Sequence, residues 1–426
     1  MKRRSRFFRN ISLLMLAPFA LCSCTQTDPV SDKSTKSNTL YVKKVENMPE
    51  DFILGMDISS VIAEEDSGVT YYNFDGEEQD VFQTLAENGI NYIRVRIWND
   101  PYDKDGHGYG GGNNDIEKAV IIGKRAAKYG LKLIVDFHYS DFWADPQKQM
   151  VPLAWKDMTV EEKTEAVYEF TKSGLEEILN GGGLVGLVQI GNETNGALCG
   201  ESEWSHMQSL MKAGARAVRE VCPDALIALH FTNPERKSNY AEYAKQLNDY
   251  QVDYDVFASS YYPFWHGTLD NLASMLTQVA ETYGKKTMVM ETSYPYTLED
   301  TDFYENTISA GSNLSKPYPI SVQGQADSVR DIIDMVVNKA KNGIGIVYWE
   351  GAWISVGGSS RKANSTLWET YGSGWATSYA ATYDPDDAGK YYGGNSFDNQ
   401  ALFDAQGKPL ESLKIFHLVR SGNEIS

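Results

Sequence analysis

Cysteine and histidine are scarce in this chain, with four and six among 426 residues. Cys22 and Cys24 fall in the N-terminal segment, so only Cys199 and Cys222 remain for the body. An isolated pair is too sparse for a disulfide scaffold or a sulfur-ligated metal cluster, and two unpaired thiols are expected. The scattered histidines supply no recognisable ligand cluster for a metal-dependent hydrolase. Positive charge is also short: 39 Lys and Arg against 58 Asp and Glu give a formal charge of −19. Nucleic acid, anionic lipid and other polyanions each need a concentrated basic face, so none is expected as the main partner. No glycine-rich dinucleotide turn follows Asp57, and no nucleophile elbow with its ordered Ser/Asp/His context occurs. What the chain does have is apolar material, 42% hydrophobic and 12% aromatic residues, enough for a large core.

The N-terminus reads as an export signal. Lys2, Arg3, Arg4, Arg6 and Arg9 precede an apolar run over 11–21, too short to span a bilayer but the length of a signal-peptide core. Leu21-Cys22-Ser23-Cys24 resembles a bacterial lipobox, which predicts a signal peptide over 1–23 and lipidation of Cys24. Residues 24–49, rich in Thr, Ser, Asp and Lys, read as a flexible tether. The membrane is then touched only through the lipid, and a polymer-degrading role favours the outer membrane and the cell surface. The remaining domain, 50–426, is expected to work as a monomer.

From residue 50 onward, short β-rich runs alternate with longer helical patterns. Strands are expected over 52–57, 92–97, 131–137, 184–190, 226–230, 256–260, 287–291 and 344–349. The helical patterns between and after them cover 77–88, 115–129, 160–179, 203–221, 240–247, 269–283, 326–341 and 412–419. Eight such repeats close a (β/α)8 TIM barrel. Asn88-Gly89, Tyr129-Gly130, Tyr283-Gly284 and Asn342-Gly343 each stand just before a β-rich run, where a left-handed helix cap is expected. Long strand-to-helix loops over 98–114, 138–159, 292–324 and 350–400 all fall on the catalytic face and predict a cleft for an extended ligand.

The strands end in polar or aromatic residues where a bland barrel would keep Val, Ile or Leu: Asp57, Trp98, His138, Asn192-Glu193, His230, Tyr262, Glu291 and Trp349-Glu350. Glu193 after the fourth strand and Glu291 at the end of the seventh are the pair that carries chemistry. Glycoside cleavage needs a protonated acid at the leaving oxygen and a second carboxylate at the sugar carbon. Arg94, Arg96 and Trp98 share strand parity, so an arginine from the second strand reaches the site. Either is open, with Arg96 nearer the rim.

These residues resemble a known set. Gly-Asn-Glu at 191–193 with Glu-Thr-Ser-Tyr at 291–294 looks like the clan of retaining (β/α)8 glycosidases. The fuller series is more specific: Gly55-Met56-Asp57-Ile58-Ser59, Arg94-Val95-Arg96-Ile97-Trp98, the run from Asp136 to Pro146, Gln189 to Glu193, Ser260 to Trp265, and Tyr348-Trp349-Glu350. From about residue 51 to 420 the chain resembles glycoside hydrolase family 53, the arabinogalactan endo-β-1,4-galactanases. The resemblance implies Glu193 as acid/base, Glu291 as nucleophile, and Asn192 on the hydroxyl beside the reacting carbon. The substrate it implies is β-1,4-galactan or arabinogalactan side chains of pectin, cut internally with no organic cofactor. Trp98, Tyr262, Trp265 and Trp349 are candidate stacking platforms, and Asp57, Arg96, His138 and His230 candidate polar contacts.

The same resemblance implies a structural calcium ion. Asp300, Asp302 and Asn306 sit at alternating positions, with Tyr304 where the family pattern has histidine, and Asp384 and Asp387 complete the expected shell. Gly351 stands where that pattern leads one to expect proline, and a looser start to the last loop follows. Two other readings stay open: another β-glycanase of the clan, acting on mannan or glucan, and a non-catalytic surface glycan-binding protein.

Overall fold

The computed structural model describes residues 39–423, so the signal segment and Cys24 lie outside the described residues. Eight parallel strands run in chain order: β1 Ile53–Asp57, β2 Tyr92–Ile97, β3 Lys132–Phe137, β4 Val185–Ile190, β5 Leu226–Phe231, β6 Val256–Ser260, β7 Lys286–Thr292 and β8 Gly343–Tyr348. Each pairs with the next and β8 returns to β1, closing the TIM barrel expected from the repeats. Around it lie α1 Val61–Asp66, α2 Val81–Glu87, α3 Ile116–Lys128, α4 Val160–Asn180, α5 Trp204–Val221, α6 Asn239–Asp249, α7 Leu269–Tyr283, α8 Val322–Asn338, α9 Arg361–Tyr371, α10 Ala388–Tyr391 and α11 Ile415–Ser421.

Alternation along the strands sorts the side chains between two cores. Leu54, Met56, Ile93, Val95, Leu133, Val135, Val188 and Leu229 face the helices in one large cluster. Ile53, Ile134, Leu187, Ala228, Val256, Met288 and Val347 fill the barrel's interior in a second. Strand residues of the interior parity nearer the C-terminal ends are polar, which is where the site forms.

Three of the four expected glycine caps hold: Gly89, Gly130 and Gly284 have φ of 96°, 76° and 68°. At the fourth junction the left-handed residue is Asn342, φ 55°. Gly343 is needed for space instead, since a Cβ there would stand 2.1 Å from the Val336 carbonyl oxygen. The segment 350–400, read as loop, contains α9, capped by the Ser360 side chain at Ala363 N and ended by Gly372 at φ 74°. Part of the expected tether also belongs to the body. Leu40, Val42 and Val45 are buried, Val42 exchanges backbone hydrogen bonds with Asn423, and Val45 N donates to Val419 O.

Candidate active site

Arg94 organises the polar layer. Its guanidinium lies 2.9 Å from Asp57, 2.8 Å from Asp136 and 2.9 Å from Glu291, and also donates to Gln189 Oε1 and Asn192 Oδ1. Burial works against its charge, but Asp136, Glu291 and Asp57 outweigh that and hold it more firmly protonated. One buried cation facing three carboxylates leaves excess negative charge in the layer, which favours keeping protons on nearby acids.

Glu291 reaches this layer through a β-bulge. Ser259 pairs with Val289 but Ser260 pairs with Glu291, so Met290 is the extra residue on β7. The same one-residue shift appears against β8, where Val289 pairs with Ile346 and Thr292 with Tyr348. Without the bulge, strand alternation would turn Glu291 toward the helices; with it, the carboxylate faces Arg94 and accepts from the Tyr262 hydroxyl at 3.1 Å. Glu193 is set by a turn after β4. Gly191 takes φ 77°, where a Cβ would stand 2.6 Å from Thr194 Cγ2, and Glu193 itself is left-handed at φ 49°. A non-glycine residue in that region costs of order 1–3 kcal/mol, which fits a position fixed by chemistry rather than by local preference.

The two carboxyls are electrostatically unlike. Burial, then the charge of Glu291, push Glu193 up to about 8. Burial raises Glu291 to about 7, with Arg94 and the Tyr262 hydroxyl acting against the rise. No cation offsets the burial of Glu193, so Glu291 ionises first and Glu193 keeps the proton. This is the division of labour that acid-assisted displacement at a sugar carbon requires.

The pair opens into a cleft of about 800 Å3. Of the residues singled out in the sequence, Glu193, Glu291, Asn192, Arg94, Arg96, His138, Tyr262, Trp265, Trp349 and Asp387 line it. Asp57, Trp98 and His230 do not; each is fully buried behind it. Asp57 holds Arg94, Trp98 Nε1 donates to His138 Nδ1 at 3.1 Å, and His230 sits between Asn192 and Ser260. His138 lines the cleft, yet Nδ1 accepts from Trp98 and Ala144 N while Nε2 faces Asp136, so both ring nitrogens are engaged. The arginine left open resolves to Arg94, because Arg96 pairs with Glu350 and packs 4.2 Å from the Trp143 ring centroid. Trp143, Trp353, Trp375 and Phe397 add aromatic walls that sequence reading missed. They stand in irregular loops, where no periodicity marks a residue's direction.

Gly351 does not loosen its loop. Its N–H donates to Asp57 O at 3.0 Å, and a Cβ would stand 2.5 Å from Met56 Sδ. Gly351→Pro is expected to lower stability by about 1–3 kcal/mol by orphaning that carbonyl. A denaturant midpoint that falls further for the proline variant than for Gly351→Ala checks this.

The expected calcium ligands separate into two places. Asp384 and Asp387 both bind the Lys148 ammonium, at 2.6 and 2.7 Å, tying the loop after β8 to that after β3. Asp302 lies instead near Asp398, with Asp300 adding charge, and burial plus Asp398 push Asp302 up to about 8. Asn306 Oδ1 and Asp398 Oδ1 are buried without a hydrogen-bond partner. The Tyr304 hydroxyl donates to Tyr391 O and accepts from Trp375 Nε1. Elsewhere, Asp103, Asp105 and His107 bring ligand atoms close enough for a metal on the loop after β2.

The profile of Glycosyl hydrolase family 53 matches residues 53–416. The chain is 58% identical over 389 residues to an endo-beta-1,4-galactanase of Bacillus subtilis (strain 168), covering 91% of this chain and 90% of the relative. It is 33% identical over 334 residues to an arabinogalactan endo-beta-1,4-galactanase of Cellvibrio japonicus (strain Ueda107), over 75% of this chain and 85% of that one. Among solved structures, the Ignisphaera aggregans GH53 catalytic domain superposes with a TM-score of 0.79 at 36% identity, covering 89% of this chain and 99% of that chain.

Proposed function

The chain belongs to glycosyl hydrolase family 53, and from that membership and the geometry of its cleft we infer that it is an endo-acting, retaining β-1,4-galactanase. Its substrate is galactan or the arabinogalactan side chains of pectin. The observation that carries the mechanism is the paired but unlike carboxyls: Glu291 braced by Arg94 and Tyr262, Glu193 half-buried with no cation beside it. Glu291 attacks the anomeric carbon while Glu193 gives its proton to the departing oxygen, and the bond between sugar carbon and glycosidic oxygen breaks. Glu193, now a carboxylate, takes a proton from water, which displaces Glu291 and restores both groups with the anomeric configuration retained. Asn192, at the cleft floor, holds the adjacent hydroxyl, and Trp349, Trp265 and Trp143 offer ring faces to neighbouring sugars. An open cleft walled by long loops suits attack within a chain. Incubation with unbranched β-1,4-galactan, β-mannan and β-glucan tests the reading: mixed oligosaccharides from galactan alone are expected. Release from mannan or glucan with none from galactan would reassign the substrate.

Asp398 and Asn306 each carry an unpartnered buried oxygen and Asp302 is a raised, buried carboxyl near Asp398, a donor set that fits a hard cation. A calcium ion held there supplies positive charge that neutralises the carboxylates and braces the loops after β7 and β8. Chelation is expected to lower the thermal midpoint, and Asp398→Asn to lower it without chelator. An unchanged midpoint in both cases would remove the ion from the account. For export, the lipobox-like Leu21-Cys22-Ser23-Cys24 supports a lipidated protein tethered at the outer surface, working as a monomer. No helix among the described residues is long and apolar enough to cross a membrane.

A further inference from the structure

Behind Glu193 runs a line of side chains whose proton positions follow from their partners. Asn192 Oδ1 lies 3.0 Å from Arg94 Nη2, and a guanidinium only donates, so this atom is the amide oxygen. His230 Nδ1 stands 2.9 Å from the same oxygen and therefore carries a hydrogen. Gln189 Nε2 also lies 3.1 Å from that nitrogen, but a bare Nδ1 would face the Asn192 oxygen lone pair to lone pair, so the glutamine hydrogens go elsewhere. Its Oε1 accepts from Arg94, and its two amide hydrogens are taken by Gly191 O at 3.0 Å and Asn192 Oδ1 at 3.1 Å. Burial and the neighbouring Arg94 hold the His230 imidazole well below its usual range, so the ring is neutral and Nε2 is bare. Ser260 Oγ, 2.9 Å from Nε2, must then donate its single hydrogen there. That leaves the serine only lone pairs for Glu193 Oε1, 2.6 Å away on its other side.

We propose that Ser260 is a positioning residue that accepts a hydrogen bond from protonated Glu193, held in that role by His230 and Asn192. The relay runs Glu193 O–H to Ser260 O–H to His230 Nε2, and from His230 Nδ1–H to Asn192 Oδ1. The hydrogen-bond direction set at Arg94 thus selects the acid form of Glu193 before substrate arrives, and the same Asn192 that faces the sugar fixes the tautomer behind the acid. When Glu193 delivers its proton, the serine hydroxyl turns to the new carboxylate and leaves Nε2 without a donor. Water's proton, returning in the second step, restores the resting pattern. The charged and titratable groups around the relay are Arg94 from β2, Asp136 and His138 from β3 and its end, Asp145 from the following loop, Tyr240 from α6, Tyr262 after β6 and Glu291 from β7, with the Thr232 hydroxyl after β5. The proposal rests on Glu193 being the acid/base.

Ser260→Ala separates the two possible directions by sign. Loss of an acceptor for the neutral carboxyl lowers the Glu193 pKa, so the alkaline limb of kcat/KM on galactan is expected to move down by roughly one pH unit. Ser260→Thr, which keeps the hydroxyl, should restore it. A limb that moves up means the serine donates to the carboxylate, and an unmoved limb means that it does not govern the acid; either overturns the proposal. Should the alanine variant fail to fold, 15N spectra of histidine-labelled wild-type protein, assigned with His230→Gln, answer the same question. A proton on Nδ1 with Nε2 bare is expected, and a proton on Nε2 in the resting enzyme would contradict the relay. The spectra do not depend on turnover, so wild-type inactivity on galactan would count against the substrate reading alone.

Discussion

Glu291→Gln is expected to lower kcat/KM on β-1,4-galactan by about ten-thousand-fold or more, because among the described residues lining the cleft no other carboxylate is paired with Arg94 to take its role. Glu193→Gln should cost about a hundred- to ten-thousand-fold on the polymer, the usual share of a general acid. The two variants differ in how the leaving group matters. An aryl galactoside whose phenol departs without a proton needs no acid in the first step, so Glu193→Gln should still form the covalent intermediate and release phenol in a burst. Glu291→Gln should release none. Pre-steady-state phenol release distinguishes them, and bursts from both variants would mean that the nucleophile is misassigned. The pH profile carries the same division. Activity needs Glu291 ionised and Glu193 protonated, so it falls on the acid side as Glu291 takes a proton and on the alkaline side as Glu193 loses one, in a bell whose limbs belong to the coupled pair.

Arg94→Met is the change expected to harm the fold most. The side chain is 1% exposed and faces Asp57, Asp136 and Glu291. Removing it leaves Asp136 and Glu291 without a guanidinium partner and Asp57 with Arg96 alone, 3.9 Å away, and stability should fall by about 3–5 kcal/mol. The sign of the accompanying pH effect follows from the geometry. Arg94 favours the Glu291 carboxylate, so its loss raises that pKa and moves the acid limb of kcat/KM to higher pH. Arg94→Lys keeps one charge but not the planar fork that reaches several acceptors, and should fall between the two. Chemical denaturation and a pH profile of whatever folded fraction remains check both effects. Wild-type stability in Arg94→Met would mean that the interior layer does not depend on this cation.

Much of this arrangement is legible in the amino-acid order. Alternation within β2 puts Arg94, Arg96 and Trp98 on one side, and the strand and helix patterns count to eight. What alternation cannot reveal is an interruption of itself. The bulge at Met290 decides that Glu291 faces the barrel's interior, and only pairing with β6 and β8 discloses it. Depth is the second limit. Trp98, Asp57 and His230 end strands as cleft residues do, yet others stand in front of them, and their work is to fix His138, Arg94 and Asn192. Competition for partners is the third. Asp384 and Asp387 have the chemistry of calcium ligands, but Lys148, 236 residues from the first of them, binds both. Asp398, which no motif marks, has the buried free oxygen instead.

A double displacement through Glu291 retains the anomeric configuration, and the stereochemistry of the first product tests that most directly. Proton NMR of the soluble domain cutting unbranched β-1,4-galactan, followed before mutarotation, should show the β-anomer of the new reducing end appearing first and the α-anomer later. Initial α-anomer would mean a single displacement by water, and would contradict the roles assigned to both glutamates.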